Sequence, residues 1–555
     1  MTDARATART NTARTNTARA NTARANPAHK NAAHTTIEFF GGLGVIGSSK
    51  IEISHGGGES GRVRARVQLD MGLEIPNGDD LMAAPVGLGS RPGRELADLL
   101  RIGAAPRIPG LYDPRWLRAG VAADGAADLP ADFTADVADD LSADLPADLP
   151  ADPATDLATD IATDAATAEL LEPAAGPHAL FISHAHLDHM GLAGFVRPSV
   201  PIYATAQTVA LLRALHASGD GVLGAEPDWR VIEFGELVSV GEITVQALPV
   251  DHDVPGACGF LVTTPDGRVA FTGDLRFHGD EDYLSHDFAE RVAGVDVLVT
   301  EGTSLSWEPL GDRPAGEHDI VERFRATLET QRGLVLLALY PRNAARALQF
   351  RYAASRAGRT LVWSGQIAAL FARLGWSDVV TWDESRPQAS AHLKAIAAAR
   401  ADGFQLTTVS LNDVHAQPDR FVVMPDPHDL PSLLDLPIVP GDVLLHSNGQ
   451  PLGEFDAWWR PFTAWLDRLG VELRFLGSSG HASADDLHAM IERIAPRVVF
   501  PIHTFSPRRL QVPTGVRRVI AEYGVRYSLD GDAQDPDSAL GTADALGAAD
   551  AGRRG

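Results

Sequence analysis

The chain has 555 residues and a single cysteine, Cys258, so no disulfide can form within it. Cys258 reads most simply as a small buried residue. No apolar run approaches the ~20 residues that a membrane-spanning helix needs; the run at residues 334–340 has the length of a buried strand. The first residues carry arginines but no apolar h-region, so no secretory signal is read there. Together these absences point to the cytoplasm and away from a membrane. Positive charge is also short, with 48 Lys and Arg against 73 Asp and Glu and a net charge of −25. That balance argues against broad nonspecific binding of nucleic acid, yet it leaves room for a local basic groove, because net charge is not a surface map.

Much of the acidity is local. Residues 121–172 hold twelve Asp, two Glu and no Lys or Arg, in repeats of Ala-Asp-Leu-Pro and Ala-Thr-Asp. This is expected to be a solvated, low-complexity insertion. Residues 1–34 form a second low-complexity stretch, in which Thr-Ala-Arg-x-Asn recurs four times. Its apolar content is mostly alanine, which cannot build a core, so a disordered arm is expected. The tail at 531–555 is again rich in Asp, Ala and Gly. The whole chain is long enough for two or three domains, and its apolar content of 45% is ordinary.

One stretch dominates the rest of the chain: Ser183-His184-Ala185-His186-Leu187-Asp188-His189-Met190-Gly191. Four metal-ligand side chains lie within six residues, just after the apolar run Ala179-Leu180-Phe181-Ile182. Residues two apart on an extended chain point to one side, so His184 and His186 can grip one ion. Asp188 and His189 follow as the chain turns and can reach a second. Imidazole and carboxylate suit Zn²⁺ best, with Mn²⁺ or Fe as alternatives.

The same pattern recurs downstream. Strand-like runs at 243–248, 269–271 and 295–299 lead to Pro249-Val250-Asp251-His252, Thr272-Gly273-Asp274 and Thr300-Glu301-Gly302. Later, Ser478-Ser479-Gly480-His481-Ala482-Ser483 opens a helix that Ser483 can cap, and strand 498–502 ends at His503. Polar ligand types at strand ends are where α/β proteins place sites. Upstream, strands are read at 37–40, 50–54 and 63–69. The last ends at Asp70, which can brace the metal loop. Gly42 to Gly47 fits a G-x-G-x-x-G, but an alternating strand follows it where a dinucleotide site needs a helix, so it is read as a turn. Further elements are read as helices at 95–100, 207–216 and 319–329, a strand at 231–234, and a helix capped by Asn343. Strands at 334–339 and 360–363 alternate with helices there, which suggests a second α/β unit with a parallel sheet.

His184-x-His186-x-Asp188-His189, followed by His252, Asp274, Glu301, Ser479-Gly480-His481 and Pro501-Ile502-His503, resembles the β-CASP branch of the metallo-β-lactamase superfamily, and within it ribonuclease J-type proteins. The resemblance implies an α/β fold, a metallo-β-lactamase αββα sandwich with an inserted β-CASP α/β domain. The expected layout is a metallo-β-lactamase domain at 35–304 and 471–530, interrupted by a β-CASP-like domain at 305–470. It implies two Zn²⁺ per chain, with Mn²⁺ as the alternative: His184, His186 and His252 on one, Asp188, His189 and His503 on the other, and Asp274 bridging. Asp188, His481 and Glu301 then become the catalytic candidates, and Ser479, Gly480, Ser447, Arg342 and Arg346 the substrate-binding ones. The implied activity is a ribonuclease or phosphodiesterase using a metal-bridged hydroxide on RNA, or on single-stranded DNA, and a homo-oligomer is compatible with it. A small-molecule ester, thioester or lactam hydrolase of the same fold is the alternative, and a metal-free RNA-processing scaffold a third. The chain departs from the pattern at Gly477, where His-x-Ser-Gly-His would have its first His, and it lacks a clear Ser-Gln-Gly-Glu.

Overall fold

The computed structural model describes residues 33–57, 62–73, 93–117, 170, 172, 175–307, 316–383, 390–427, 429–451, 453, 454, 456 and 458–534. The expectations for residues 1–32 of the N-terminal arm, for nearly all of the acidic insertion and for most of the tail lie outside the described residues, while Ala33 and His34, placed in the arm by the sequence reading, already pair in the first strand.

Side-chain alternation along the strands builds the first layer pair. Ile37 and Phe39, Ile51 and Ile53, and Val67 and Leu69 all turn to one side of their sheet and are buried. That sheet runs in the order Arg526–Tyr527, Ala33–Phe39, Ile51–Gly57, Arg62–Leu69, Ala179–Phe181, Ile202–Ala204, Trp229–Val231. The second sheet runs Arg517–Arg518, Val498–Ile502, Val297–Glu301, Gly267–Phe271, Cys258–Thr264, Ile243–Pro249, Leu237–Val240. Its Val245, Ala247, Phe260, Val262, Val297 and Val299 meet the first sheet's apolar face in one cluster. Phe39 packs on Phe500 at 5.1 Å between ring centres, and Phe181 on Phe260 at 5.8 Å. Each sheet is antiparallel on one side and parallel on the other. Strands in the parallel halves, such as Val297–Glu301 and Val498–Ile502, are buried along their whole length, because helices cover their outer faces. Those helices include Ala206–Ala217, Asp282–Arg291 and Ala484–Ile494, whose Leu212, Phe288 and Ile491 pack on Leu180, Ala270 and Leu298. The result is the expected αββα sandwich.

The inserted unit is a five-stranded parallel sheet in the order Thr360–Val362, Phe421–Val423, Val335–Leu339, Val443–Ser447, Glu472–Phe475. Its central strand sends Val335, Leu337 and Leu339 to one core and Leu334, Leu336 and Ala338 to another, so helices are needed on both faces. The Asn343 side chain caps helix Ala344–Arg356 by accepting from the Arg346 N–H at 3.0 Å. Glu472–Phe475 belongs to this sheet, so the unit extends beyond residue 470, where the sequence reading places its end. Gly470 closes helix Trp459–Leu469 in a left-handed conformation (φ 69°). A helix stop resembles a boundary when the strand after it carries Glu472 and Arg474.

Several strands escape a reading by apolar runs. Cys258–Thr264 begins Cys-Gly and ends Thr-Thr, yet it sits in the middle of a sheet. Gly259 is required there because a Cβ would collide with the Phe288 ring. Cys258 is buried as expected. The strand expected at 231–234 lies at Trp229–Val231, where it pairs with Ile202–Ala204. Phe181→Ala, which removes the ring between the two sheets, is expected to cost ~3–5 kcal/mol. Guanidinium unfolding of the sandwich checks this; a change below ~1 kcal/mol would contradict the packing described.

Candidate metal centre

The site lies where strands of both sheets end. Strand Ala179–Phe181 delivers the loop carrying His184 and His186, and the short helix Leu187–Met190 carries Asp188 and His189. Two glycine-dependent turns press on this helix. Gly47 takes φ 82°, and a Cβ there would come within 2.6 Å of the Asp188 Cβ. Gly72 lies so close to the Asp188 carbonyl that no Cβ fits. The G-x-G-x-x-G is thus a turn, as read from the sequence, and it packs against the ligand loop. His252 follows strand Ile243–Pro249, Asp274 follows Gly267–Phe271, and His503 follows Val498–Ile502. His503 holds φ 56°, uncommon for a residue with a Cβ. Its N–H donates to the Gly42 carbonyl at 2.7 Å, which helps to fix that conformation.

Two four-membered groups result, each with its ligand atoms within 4.8 Å of one another: His184, His186, His252 and Asp274, and Asp188, His189, Asp274 and His503. Asp274 belongs to both. Its Oδ2 lies 3.8 Å from His184 Nε2, 3.1 Å from His189 Nε2 and 3.4 Å from His503 Nε2. His503 Nε2 is also 2.9 Å from Asp188 Oδ2. His184 and His189 Nε2 and Asp274 Oδ2 are buried without a hydrogen-bond partner among the described residues. Converging, unsatisfied nitrogens and carboxylate oxygens in a dry site are the donor set a divalent cation needs. The residues therefore fit the implied metal.

Outer contacts fix the rings. Asp70 Oδ2 faces His189 Nδ1 at 2.7 Å, and the Asp70 carboxylate also accepts from the Ser183 N–H at 2.7 Å and hydroxyl at 2.8 Å. The bracing role read for Asp70 is what the geometry places there. The Gly480 carbonyl faces His252 Nδ1 at 2.5 Å, and Thr303 Oγ1 faces His503 Nδ1 at 2.7 Å. Burial pushes His184 well below the ordinary imidazole range and His252 down to about 3, which favours the neutral ring that can donate a lone pair to a cation. Burial would raise the Asp188 and Asp274 carboxyls, but His189 and His503 outweigh it and hold both below the usual carboxylate range. For His481, burial opposes the charge, yet Asp274 and Glu301 prevail and raise its pKa to about 9.

The remaining candidates divide. His481 reaches the centre, with Nδ1 3.8 Å from Asp274 Oδ2 and a side chain 21% exposed. Glu301, expected among the catalytic groups, accepts from the Thr303 N–H at 2.7 Å and the Ala482 N–H at 3.0 Å, is 1% exposed, and has Oε2 3.6 Å from His481 Nδ1. Ser479 accepts from the His481 N–H at 3.0 Å. Gly480 is pressed against the His252 ring, 2.8 Å from where its Cβ would stand. Both therefore shape the site from beside it. Arg346, expected in a substrate groove, is instead buried. Its guanidinium is consumed by Glu317 at 2.6 and 2.9 Å, Asn448 at 2.7 Å and the Ser478 carbonyl at 3.3 Å. A buried guanidinium must fill its donors, and these protein partners leave none for a phosphate. Ser447 is likewise fully buried beside Arg346, so it does not face substrate. Gly477 departs from the family's His because a Cβ there would strike the Asn448 side chain. Arg342 donates to the Ala185 carbonyl at 2.6 Å and meets Asp220 at 3.2 Å. It helps line a cavity of about 340 Å³ with Leu187, Tyr340, Ser364, Gln366 and His392, between the sandwich and the inserted unit. Asp253 was missed by the sequence reading, which stopped at His252; the available signal was the Asp251-His252-Asp253 run.

Residues 151–341 match the model of the "Beta-lactamase superfamily domain", and residues 470–506 that of the "Zn-dependent metallo-hydrolase RNA specificity domain". The chain carries metallo-β-lactamase superfamily domains at these residues and is similar to the β-CASP, ribonuclease J-like branch. It is a metal-dependent hydrolase. Ribonuclease J of Pyrococcus abyssi (strain GE5 / Orsay) is 25% identical over 344 residues, covering 59% of this chain and 74% of that one. Ribonuclease J2 of Bacillus subtilis (strain 168) is 23% identical over 354 residues, 60% of each chain. The match thus spans less than two thirds of the Bacillus protein. A crystal structure of a protein of unknown function from Enterococcus faecalis V583 superposes with a TM-score of 0.64 at 24% identity. It covers 89% of this chain and 99% of its own, and carries the fold alone. No helix of the described residues is long and apolar enough to cross a membrane.

Asp70→Asn keeps the shape but loses the charge that orients His189. A loss of ~10–100-fold in affinity for one bound divalent ion is expected. Chelator competition measures it, and parental affinity would remove Asp70 from the site.

Proposed function

We propose that the chain is a two-metal phosphodiesterase that cleaves RNA. The observation that carries this reading is Asp274, shared between two imidazole–carboxylate groups with the charged His481 beside it. The match of residues 470–506 to an RNA specificity domain and the likeness to ribonuclease J proteins support RNA as substrate. Zn²⁺ is the proposed occupant of both groups, with Mn²⁺ as the alternative. When bound, two such ions would supply an activated water and neutralise charge on the phosphate.

The chain's own residues divide the rest of the work. Asp188 and His503 hold the second group at the end of their strands, and Asp188 orients the attacking water. His481, kept protonated by its carboxylate neighbours, donates to a phosphate oxygen or to the leaving oxygen. Glu301 is a positioning residue: it pins the Ala482 N–H and so the loop that carries His481. The inserted unit, which begins near residue 305 and takes in strand Glu472–Phe475, forms the opposite wall of the substrate channel.

Cleavage of a 5′-monophosphorylated, end-labelled single-stranded RNA by zinc- or manganese-loaded protein tests this, with Asp188→Ala as control. RNA products lost in the control are expected, and the product ladder gives the direction. Cleavage of matching single-stranded DNA but not RNA would change the substrate. No cleavage of either by fully metallated protein would shift the reading to a small-molecule hydrolase. His481→Ala is expected to lower turnover ~10²–10⁴-fold with metal content unchanged. Metal loss in that variant would make His481 structural.

A further inference from the structure

Five histidines are candidate ligands of the centre, and four are oriented alike. His184, His189, His252 and His503 each turn Nδ1 outward, to Ser183 Oγ at 3.0 Å, Asp70 Oδ2 at 2.7 Å, the Gly480 carbonyl at 2.5 Å and Thr303 Oγ1 at 2.7 Å. Nε2 is then the inward atom. His186 is reversed. Its Nδ1 faces inward, 3.3 Å from His252 Nε2, and its Nε2 faces Asp253 Oδ1 at 3.4 Å. Asp253 Oδ1 is buried, has no hydrogen-bond partner among the described residues and lies 3.3 Å from His252 Nε2 as well. Its side chain is 9% exposed.

Tautomers decide what these contacts mean. A ring nitrogen 2.5 Å from a carbonyl must carry the proton, so neutral His252 has its lone pair on Nε2. That lone pair faces His186 Nδ1. Two inward lone pairs can coexist there only around a cation, and His186 must then carry its proton on Nε2. The atom that Nε2–H meets is Asp253 Oδ1. We propose that Asp253 is a positioning residue that accepts the His186 Nε2 proton and thereby turns Nδ1 onto the ion of the first group. This rests on the metal reading above. The packing enforces it: a Cβ at Gly480 would stand 2.9 Å from Asp253 Oδ1, so the same loop that holds His252 confines the carboxylate.

The test is chelator competition with Zn²⁺ alone on the full chain, resolving the two dissociation constants, for the parent, Asp253→Asn and Asp253→Ala. In Asp253→Ala one constant is expected to weaken ~10–100-fold while the other stays, and Asp253→Asn, whose amide oxygen still accepts, to fall between. Unchanged constants in both variants would overturn the proposal. So would equal weakening at both ions, which marks a general structural role. Asn as poor as Ala would overturn it too, since a direct ligand loses as much either way. Failure of the parent to bind Zn²⁺ would instead defeat the metal reading itself. Apo-protein melting of the Asn variant, expected to match the parent, separates ligand positioning from folding.

Discussion

Burying seven ligand side chains in one dry place is the constraint on which the rest of the structure depends. Carboxylates and imidazoles lose much solvation there, and only close mutual contact or a bound cation restores it. Asp274 Oδ2 concentrates the problem, since four imidazole nitrogens stand within 4 Å of it. The surroundings are built to hold that arrangement. Asp70, Thr303 and the Gly480 carbonyl take the outward ring nitrogens, and Gly47 and Gly72 let backbone approach the Asp188 helix where a side chain would not fit.

The two-sheet sandwich makes this precision affordable. Each ligand-bearing loop leaves a strand that is buried on both faces or locked into a central position, so small shifts are resisted by close packing. The inserted unit is tied to the same place. Glu317 from it bridges Arg346 and Arg276, the latter two residues after Asp274, in a buried ion network, and Arg276 also holds Asp251 beside His252. Breaking one member would leave a buried charge uncompensated, which is costly. The network therefore couples the position of the inserted sheet to the loops that carry the ligands.

The sequence made the site easier to read than its supports. Histidines and carboxylates at strand ends are conspicuous, and all seven expected ligands come together in space. Arg342 and Arg346 were expected to face substrate as groove residues of a β-CASP-like domain; only tertiary partners such as Glu317 and Asp220 reveal that both are buried. Glu301 is hard to read in the same way, since its carboxylate accepts from the nearby Thr303 N–H and from the Ala482 N–H, which is distant in sequence. Strands such as Cys258–Thr264 were missed because a glycine and two threonines hide a buried strand when its neighbours are unknown. Asp253 was overlooked since its importance lies in which nitrogen of His186 it faces, and tautomers leave no mark on spacing.

The most direct measurement is metal content per chain after reconstitution with Zn²⁺ and gel filtration, for the parent and for Asp274→Ala. A shared carboxylate requires about two ions per chain in the parent and a loss from both groups when it is removed, leaving one ion or none. One ion or fewer in the parent, or two ions in Asp274→Ala, would contradict a paired centre bridged by Asp274.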